Sequence, residues 1–350
     1  MNKAILIGIL LCVGACAQKN QDLLLFQLTK VTDDTLEIIY RGEGEAVEFR
    51  MLEGLSQTLS KNSQGVFQGQ LKIQDLDNVI FSYYFVIQNR EQSGKLIEEE
   101  IKPNQDDEDQ FYLWVGKKRS APMPESAELD GNLKTIDFYS DSIGAKRKVT
   151  VYSPRKEDEN VPIIYLTDGR VVNDYAPYID WLISKEIIVP VKLVGVHSSK
   201  AKRYAEYVND GQGAMDFSKH ESFFVKEILE EIESQIKDWK GNRYIYGFSN
   251  SAAFCMYAGI NYPKVFKEVI AFSTWGYMAG YTDRNEFKYS SYPKFYLGAG
   301  KYESSNHSQI SMSTLKRQNI DVEFKEFGSG HDYNVWRIEF MEYLKIRFGT

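Results

Sequence analysis

The stretch YIYGFSNSAA, residues 244–253, constrains the fold more than any other part of the chain. A short run of aromatic and β-branched residues, typical of a strand, leads into Gly-Phe-Ser-Asn-Ser and then into the apolar, helix-forming segment 252–260. A serine between a strand and a helix matches a nucleophile elbow, a tight turn that projects the side chain of Ser249 clear of the sheet. The usual pattern is Gly-x-Ser-x-Gly, and Ser251 stands where the second glycine is expected. The alternative interpretation is an ordinary strand-to-helix turn.

Length and charge exclude several classes of protein. The chain has 350 residues, 43% of them hydrophobic, which is enough to bury a large core and to form two domains. Its formal net charge is −7, and it has no long run of lysine and arginine. This acidic balance argues against nucleic acid or an anionic membrane surface as the main partner.

Residues 1–15 are typical of a secretory signal peptide. Lys3 precedes an apolar run that is too short to span a membrane. The run ends in Val-Gly-Ala-Cys, which resembles the lipobox of bacterial lipoproteins and so predicts cleavage before Cys16 and lipidation of its thiol. The same resemblance implies that residues 16–22 form a tether and that the protein is exported and lipid-anchored in the cell envelope, facing the periplasm or the cell surface. Ordinary signal cleavage after the Ala-Cys-Ala triplet of residues 15–17, which releases a soluble protein, is the alternative.

The predicted cleavage and lipidation determine which cysteines could form a disulfide. Of the three cysteines, Cys12 leaves with the signal peptide and Cys16 carries the lipid. Cys255 remains, so we expect no internal disulfide despite export. The expected role of Cys255 is that of a small buried apolar residue.

Residues 23–116 carry strand signals separated by turn-rich pieces, which predicts a small N-terminal β-sandwich. The aromatic run 81–85 favours a strand packed on both faces, with a ligand-stacking platform as the alternative. A charged segment with two prolines, residues 117–126, predicts the linker to the next domain. The predicted strands are 24–28, 36–40, 47–51, 66–73, 79–87 and 111–115.

In residues 127–350 strands alternate with helices, which predicts an α/β fold with a mostly parallel sheet and with ligand chemistry at the carboxyl ends of the strands. The long predicted helix 221–239 has apolar residues at four-residue spacing. The predicted strands are 133–139, 147–152, 162–166, 191–196, 244–246, 269–272, 294–297 and 321–327, with further helices at 308–318 and from Val335.

A serine hydroxyl needs a base to remove its proton, and the chain has four histidines to supply it. His331 lies on a Gly-Ser-Gly loop after the last predicted strand, so it is the predicted base. His197 follows a buried strand but precedes Ser249, which is the wrong order for an α/β-hydrolase. His220 and His307 lie in polar segments that we expect to be exposed.

The acid that orients the base should lie between Ser249 and His331, after the penultimate strand. Glu303 occupies that position and is the predicted acid. Asp283 and Glu286 are alternatives, although no strand leads into their loop.

An acyl-transfer site also needs donors aimed at the developing oxyanion. The backbone N–H of Asn250, directly after the serine, is the first predicted donor. The second is the N–H of Arg170, in the loop after an early strand, where Gly169 lets the backbone approach closely. A plain turn is the alternative for this loop.

Together these residues resemble the esterase family of α/β-hydrolases that includes enterochelin esterase, esterase D and bacterial feruloyl and acetyl xylan esterases. The resemblance covers about residues 130–348. It implies an α/β-hydrolase fold, and the preceding β-domain is similar to the siderophore-esterase arrangement. Ser251 and Ala252 depart from the Gly-Gly that is frequent in the family. The similar segments are VYSP (151–154), IYLTDG (164–169), GFSNSAA (247–253), YPKVF (262–266), GHDYNVWR (330–337) and the Arg203-x-x-Glu206 segment, which the family has near its active-site cleft.

The prediction is therefore an exported serine carboxylesterase with a Ser-His-Glu triad and an acyl-enzyme, needing no cofactor and no metal. Its predicted substrate is a polysaccharide-linked acyl group or a siderophore ester, in a pocket formed by Trp275, Arg203, Glu206 and His197. For Trp275, core packing is the alternative role. The alternative functions are a non-catalytic binding lipoprotein, suggested by Ser251, and a peptidase.

Overall fold

The computed structural model describes residues 25–105, 110–119, 129–209, 213–275 and 287–350. These residues form a mixed α/β structure with two sheets of eight strands each. The chain divides into two compact units, of which the first comprises residues 1–125, 300–304 and 327–335 and the second comprises the rest. Outside the described residues lie the predicted signal peptide, Cys16 and its tether, most of the predicted linker, and the alternative acids Asp283 and Glu286.

The first sheet is antiparallel throughout. Its order is β1-β2-β5-β4-β3-β6-β7, and β8 pairs with β6. The strands are β1 (Phe26–Thr32), β2 (Thr35–Tyr40), β3 (Ala46–Met51), β4 (Ser56–Lys61), β5 (Phe67–Lys72), β6 (Ile80–Arg90), β7 (Leu96–Ile101) and β8 (Tyr112–Val115).

The core of the first unit is built around β6, as the aromatic run at 81–85 predicts. Phe81 and Phe85 on one face of this strand are fully buried, and so are Ser82 and Val86 on the other face. The strand is therefore packed on both sides, and its rings are core rather than a ligand platform. The sequence did not predict β4 and β7. The first has a single buried position, and the second is an exposed, glutamate-rich strand at the edge of the sheet, where charge prevents further pairing.

The second sheet runs in the order β16-β15-β14-β13-β11-β12-β10-β9. The pairs from β12 through β11, β13 and β14 to β15 are parallel, and β9 and β10 are antiparallel to their neighbours. Every residue of β11, β12 and β14 is buried, as expected of a sheet covered on both faces. The strands are β9 (Asn132–Ser140), β10 (Ala145–Ser153), β11 (Ile163–Thr167), β12 (Lys192–Val196), β13 (Arg243–Phe248), β14 (Glu268–Phe272), β15 (Lys294–Gly300) and β16 (Val322–Phe327).

The helices connect these strands, and most were predicted. The exceptions are α1, where Pro177 lies inside the helix and hid its periodicity, and the five-residue α2. The long predicted helix begins earlier, at Ala214, and contains a π-helical segment (Phe223–Ile228). Among the described residues, no helix has the length and apolar character needed to cross a membrane. The helices are α1 (Val172–Ser184), α2 (Arg203–Tyr207), α3 (Ala214–Ser222), α4 (Leu229–Ser234), α5 (Asn250–Asn261), α6 (His307–Arg317) and α7 (Tyr333–Phe348).

Candidate active site

Ser249 occupies the single residue between β13 and α5. Its backbone has φ 55° and ψ −130°, a conformation that costs a residue with a side chain about 1–3 kcal/mol. Its N–H donates to the carbonyl of Phe272 at 2.9 Å, which fixes the turn to the neighbouring strand. This is the conformation expected of a nucleophile elbow. Asn250, the predicted oxyanion donor, is the first residue of the helix that follows.

Three residues near Ser249, namely Gly247, Ser251 and Cys255, are each small for a different structural reason. A Cβ on Gly247 would lie 2.5 Å from Oγ1 of Thr167 and 2.7 Å from Sγ of Cys255, so only glycine fits there. Ser251 is fully buried, and its Oγ accepts the N–H of Phe248 at 3.1 Å and donates to the carbonyl of the same residue at 2.9 Å. Its hydroxyl thus braces the turn from inside. Cys255 is buried as predicted, and burial raises the pKa of its thiol.

The predicted oxyanion loop follows β11, which pairs in parallel with β13, so this loop and Ser249 lie at the same edge of the second sheet. Asp168 adopts the left-handed conformation (φ 55°, ψ 56°), after which Gly169 and Arg170 open a helical turn. A Cβ on Gly169 would lie 2.4 Å from the backbone of Gly195, so glycine is required for this close approach. The N–H groups of such a first turn have no helical partner, which suits them to an anionic oxygen.

Arg203 holds this loop in place. Its Nε and Nη2 donate to the two carboxylate oxygens of Asp168 at 2.8 and 2.6 Å. The N–H of Asp168 donates to the hydroxyl of Tyr207, one turn along α2, at 2.7 Å. The Asp168 side chain is only 5% exposed, so its carboxylate is largely withdrawn from water, whereas Arg203 is 29% exposed. Arg203 therefore supports the backbone on which the predicted donor lies.

The other two polar pocket candidates also bond to the protein. Nε2 of His197 lies 2.8 Å from Oγ1 of Thr150, and burial, reinforced by Lys148, lowers the pKa of the imidazole. Glu206 accepts hydrogen bonds from Arg147 at 2.8 Å and from the N–H of Ser199 at 2.7 Å. Its side chain is only 3% exposed.

Trp275 differs from the other pocket candidates because its side chain is exposed to solvent. It lies just beyond β14 and is 42% exposed, so core packing is excluded. Its ring makes an edge-to-face contact with His307, with centroids 5.3 Å apart.

The sequence did not predict the role of Trp336. Its Nε1 donates to Oγ of the buried Ser273 at 2.7 Å, and its ring stacks on Phe248 at 4.9 Å. Ser273 has φ 50° and follows β14 directly. Trp336 thus packs against the residue that precedes Ser249, which gives the GHDYNVWR segment a structural function.

The predicted acid and base lie together in the first unit, on the segments that follow β15 and β16. Oε2 of Glu303 is 3.6 Å from Nδ1 of His331, within ion-pair range. The other carboxylate oxygen accepts the N–H of Gly300 at 2.7 Å. The Glu303 side chain is 4% exposed and that of His331 is 18% exposed. A shielded carboxylate beside a partly exposed imidazole can fix the tautomer and orientation of the ring.

The expected exposure of His220 was wrong. This residue is fully buried on the apolar side of α3, and its ring makes edge contacts with Tyr207 and Phe254, each at 5.1 Å. Burial and the nearby Arg147 lower its pKa to about 3, so the ring is neutral at ordinary pH. His220 is therefore part of the core. Within the described residues, no group of three or more His, Cys, Asp and Glu side chains could hold a metal ion.

A family model described as "Putative esterase" matches residues 140–345, more than half of the chain. The chain belongs to this esterase family. The resemblance predicted from the sequence motifs is thereby confirmed, and the protein is a carboxylic ester hydrolase. A comparison of the esterase with curated proteins finds no significant match.

The esterase is similar in fold to several solved structures. The enterobactin esterase of Shigella flexneri, solved with 2,3-di-hydroxy-N-benzoyl-serine, is 16% identical, with a TM-score of 0.69 over 95% of this chain and 98% of that one. The ferric enterobactin esterase of Salmonella typhimurium is 13% identical, with a TM-score of 0.69 over 92% of this chain and 95% of that one. A ferulic acid esterase is 17% identical, with a TM-score of 0.51 over 63% of this chain and 98% of that one.

Proposed function

We propose that the esterase is a serine hydrolase with Ser249 as nucleophile, His331 as base and Glu303 as the acid that orients it. The observation that carries the proposal is the strained backbone of Ser249 between β13 and α5, in a member of an esterase family. The pairing of Glu303 with His331 supports the assignment of the acid and the base. The chain order Ser, acid, His is that of α/β-hydrolases.

The reaction proceeds in two steps. His331 takes the proton of the Ser249 hydroxyl as Oγ attacks the ester carbonyl, and the tetrahedral intermediate collapses as the imidazolium gives that proton to the leaving alcohol. Water then attacks the acyl-enzyme with His331 again as base, releasing the acid and restoring the serine. The N–H groups of Asn250 and Arg170 donate to the oxyanion in both steps, and each such donor contributes about 3–4 kcal/mol to the transition state.

We assign the second unit to the α/β-hydrolase fold and the strands before it to a β-sandwich domain. The parallel order β12-β11-β13-β14-β15 and the serine turn after β13 support the first assignment. The second is supported by the antiparallel sheet and its single apolar core.

The proposed substrates are esters that carry an aromatic group, either acyl groups on polysaccharides or siderophore esters. The exposed ring of Trp275 beside His307 provides a surface on which an aromatic ring can stack. The names of the similar solved structures point to the same chemistry, since they include ferulic acid and 2,3-di-hydroxy-N-benzoyl-serine.

We further propose that the mature protein is exported and anchored to the cell envelope through lipid on Cys16. The support is the Val-Gly-Ala-Cys sequence after a short apolar run. In cells fed an alkyne-tagged fatty acid, wild type should acquire the tag and sediment with membranes, whereas Cys16→Ser should do neither. Equal tagging and fractionation of both forms contradicts the anchor.

The enzymatic proposal is tested on a panel of p-nitrophenyl acetate, methyl ferulate, acetylated xylan and a catecholate siderophore. Wild type should hydrolyse at least one aromatic ester, and Ser249→Ala and His331→Gln should each lose at least about 10³-fold in kcat. Ser234→Ala, which removes an exposed serine hydroxyl from α4, is the matched control and should keep full activity. Activity that survives in Ser249→Ala contradicts the assignment of the nucleophile.

A further inference from the structure

Ser82 is a buried polar residue in the most apolar strand of the first unit. It lies on the face of β6 opposite the core rings Phe81 and Tyr83, and it is 0% exposed. A buried hydroxyl needs a partner, because an unmade hydrogen bond at such a site costs about 1–3 kcal/mol. The partners of Ser82 come from residues 332–334, directly after the proposed base.

Three side chains form a closed polar cluster at this point. The backbone N–H of Ser82 donates to Oδ2 of Asp332 at 2.6 Å, and its Oγ donates to Oδ1 at 3.1 Å. The same Oγ accepts from Nδ2 of Asn334 at 3.0 Å. Asp332 is 0% exposed, so these bonds hold its carboxylate without help from bulk water.

The end of a strand makes the Ser82 N–H available for this contact. Strand β3 pairs with β6 only as far as Met51 opposite Tyr83, and the chain then turns away through Leu52, Glu53 and Gly54. The carbonyl of Ser82 still accepts the N–H of Leu52 at 2.9 Å. Its N–H lies beyond the last paired residue of β3 and is bonded by the carboxylate of Asp332 instead.

The same turn contacts the backbone on the other side of the base. A Cβ on Gly330 would lie 2.2 Å from the carbonyl oxygen of Leu52 and 2.5 Å from that of Glu53, so this position requires glycine. The N–H of His331 donates to the carbonyl of Glu53 at 3.3 Å. The N–H of His331 and the preceding Gly330 both contact the β3–β4 turn, and the following Asp332 is bonded to β6. The backbone of His331 is therefore held on both sides.

Asp332 caps a helix and also bonds to strand β6, and the two contacts can be separated by mutation. Its Oδ1 accepts the N–H groups of Asn334 at 2.9 Å and Val335 at 3.4 Å, which caps the first turn of α7. Its Oδ2 bonds to the strand through Ser82. A helix cap alone needs one oxygen, and asparagine supplies it equally well. The second oxygen, which asparagine lacks, serves the contact with β6.

We infer that Asp332 and Ser82 are positioning residues for the esterase reaction, which fix the imidazole of His331 by tying its loop to strand β6. The inference rests on the proposed role of His331 as base. Ser82 and the β3–β4 turn then set the place of the base, although neither is part of the triad. A misplacement of about 1 Å in a catalytic group can cost about 10²-fold in rate.

The test compares Asp332→Asn and Ser82→Ala with wild type, using p-nitrophenyl acetate. Asp332→Asn keeps the helix cap and loses the acceptor for the Ser82 N–H, so kcat should fall by about 10²-fold with little change in KM. Ser82→Ala keeps that N–H and loses the hydroxyl, so the fall should be about 10-fold. Val86→Ala, on the same face of β6 and 1% exposed, is the control: its melting temperature should fall while kcat is unchanged.

Double variants separate positioning from general damage. If Asp332 acts through the base, adding Asp332→Asn to His331→Gln should slow the enzyme no further, because the group that it positions is already gone. Losses that multiply, or a wild-type kcat in both Asp332→Asn and Ser82→Ala, overturn the inference while the triad stands. A wild-type rate in His331→Gln overturns the assignment of the base and the inference with it. Should Asp332→Asn fail to fold, Ser82→Ala alone and combined with His331→Gln provides the same comparison.

Discussion

The hydroxyl of Ser251 bonds both the N–H and the carbonyl of Phe248, at 3.1 and 2.9 Å, across the turn that carries Ser249. Ser251 replaces the second glycine of the elbow pattern, and from the sequence alone it suggests a weakened site. In the folded protein its side chain is fully buried and closes a ring of hydrogen bonds around the turn. A departure from the motif is therefore part of the local architecture.

Replacing Ser251 by alanine should lower the free energy of unfolding by about 1–3 kcal/mol, because two buried hydrogen bonds are lost. Urea unfolding measures this change. Ser234→Ala removes an exposed bond to a helix carbonyl, at 2.9 Å, and should cost less than about 0.5 kcal/mol. Equal costs for the two variants would show that Ser251 does not brace the turn.

Replacing Arg203 by lysine should lower kcat by about 10- to 100-fold, since lysine cannot bond both oxygens of Asp168 and the oxyanion loop loses its support. Arg243→Lys is the matched control. Arg243 bonds both carboxylate oxygens of Glu233, but it lies at the start of β13, the end away from Ser249. Arg243→Lys should reduce the free energy of unfolding while kcat stays within about two-fold of wild type. The same fall in kcat for both variants would count against a specific role of Arg203.

Replacing Trp275 by alanine should raise KM for methyl ferulate by about 3- to 10-fold, the effect of losing one aromatic contact. KM for p-nitrophenyl acetate, measured in the same variant, reports whether the effect follows the aromatic acyl group and should stay near the wild-type value. Met215→Ala removes another exposed apolar side chain, 72% exposed and on α3, and serves as the surface control. A parallel rise for both esters would argue that Trp275 acts on the site as a whole.

The buried His220 should make stability depend on pH. Its folded pKa, lowered from 6.5 to about 3, means that the unfolded chain takes up the proton first as the solution is acidified. The stabilisation is complete above the unfolded pKa and is lost as the pH falls, by about 2 kcal/mol between pH 8 and pH 5. This part of the pH dependence should disappear in His220→Phe and persist in Phe217→Leu, a core variant that keeps the imidazole. An unchanged pH profile in His220→Phe would rule out this explanation.

Local patterns explain how much of the fold was predictable. The run around β6 and the buried strands β11 and β14 have strong apolar signals, and the glycine-rich loops mark the ends of β15 and β16. Strand β7 is almost wholly exposed and rich in glutamate, so it lacks the apolar alternation by which a strand is recognised in a sequence. His220 was placed on the surface because polar residues surround it, although its spacing from Phe217 and Phe224 on one helix face indicates burial.

The candidate site was predictable where chemistry follows a strand end, as at Ser249, Gly169 and His331. The supporting contacts were not, because they join distant segments. The hydrogen bond between Ser82 and Asp332 joins residues 250 positions apart. No local sequence motif at either residue indicates the other as its partner. Arg203 was selected by resemblance, and only the structure identifies Asp168 as its partner.

The most direct test of the account is to identify the residue that a fluorophosphonate probe modifies in the purified protein. Peptide mapping by mass spectrometry should find one adduct, on Ser249, which disappears in Ser249→Ala and forms at least about 10²-fold more slowly in His331→Gln. Ser251→Gly should still be labelled, because it keeps the nucleophile and the base. An adduct on another residue, or no adduct on a folded wild-type protein, would contradict the assignment of Ser249 as the nucleophile.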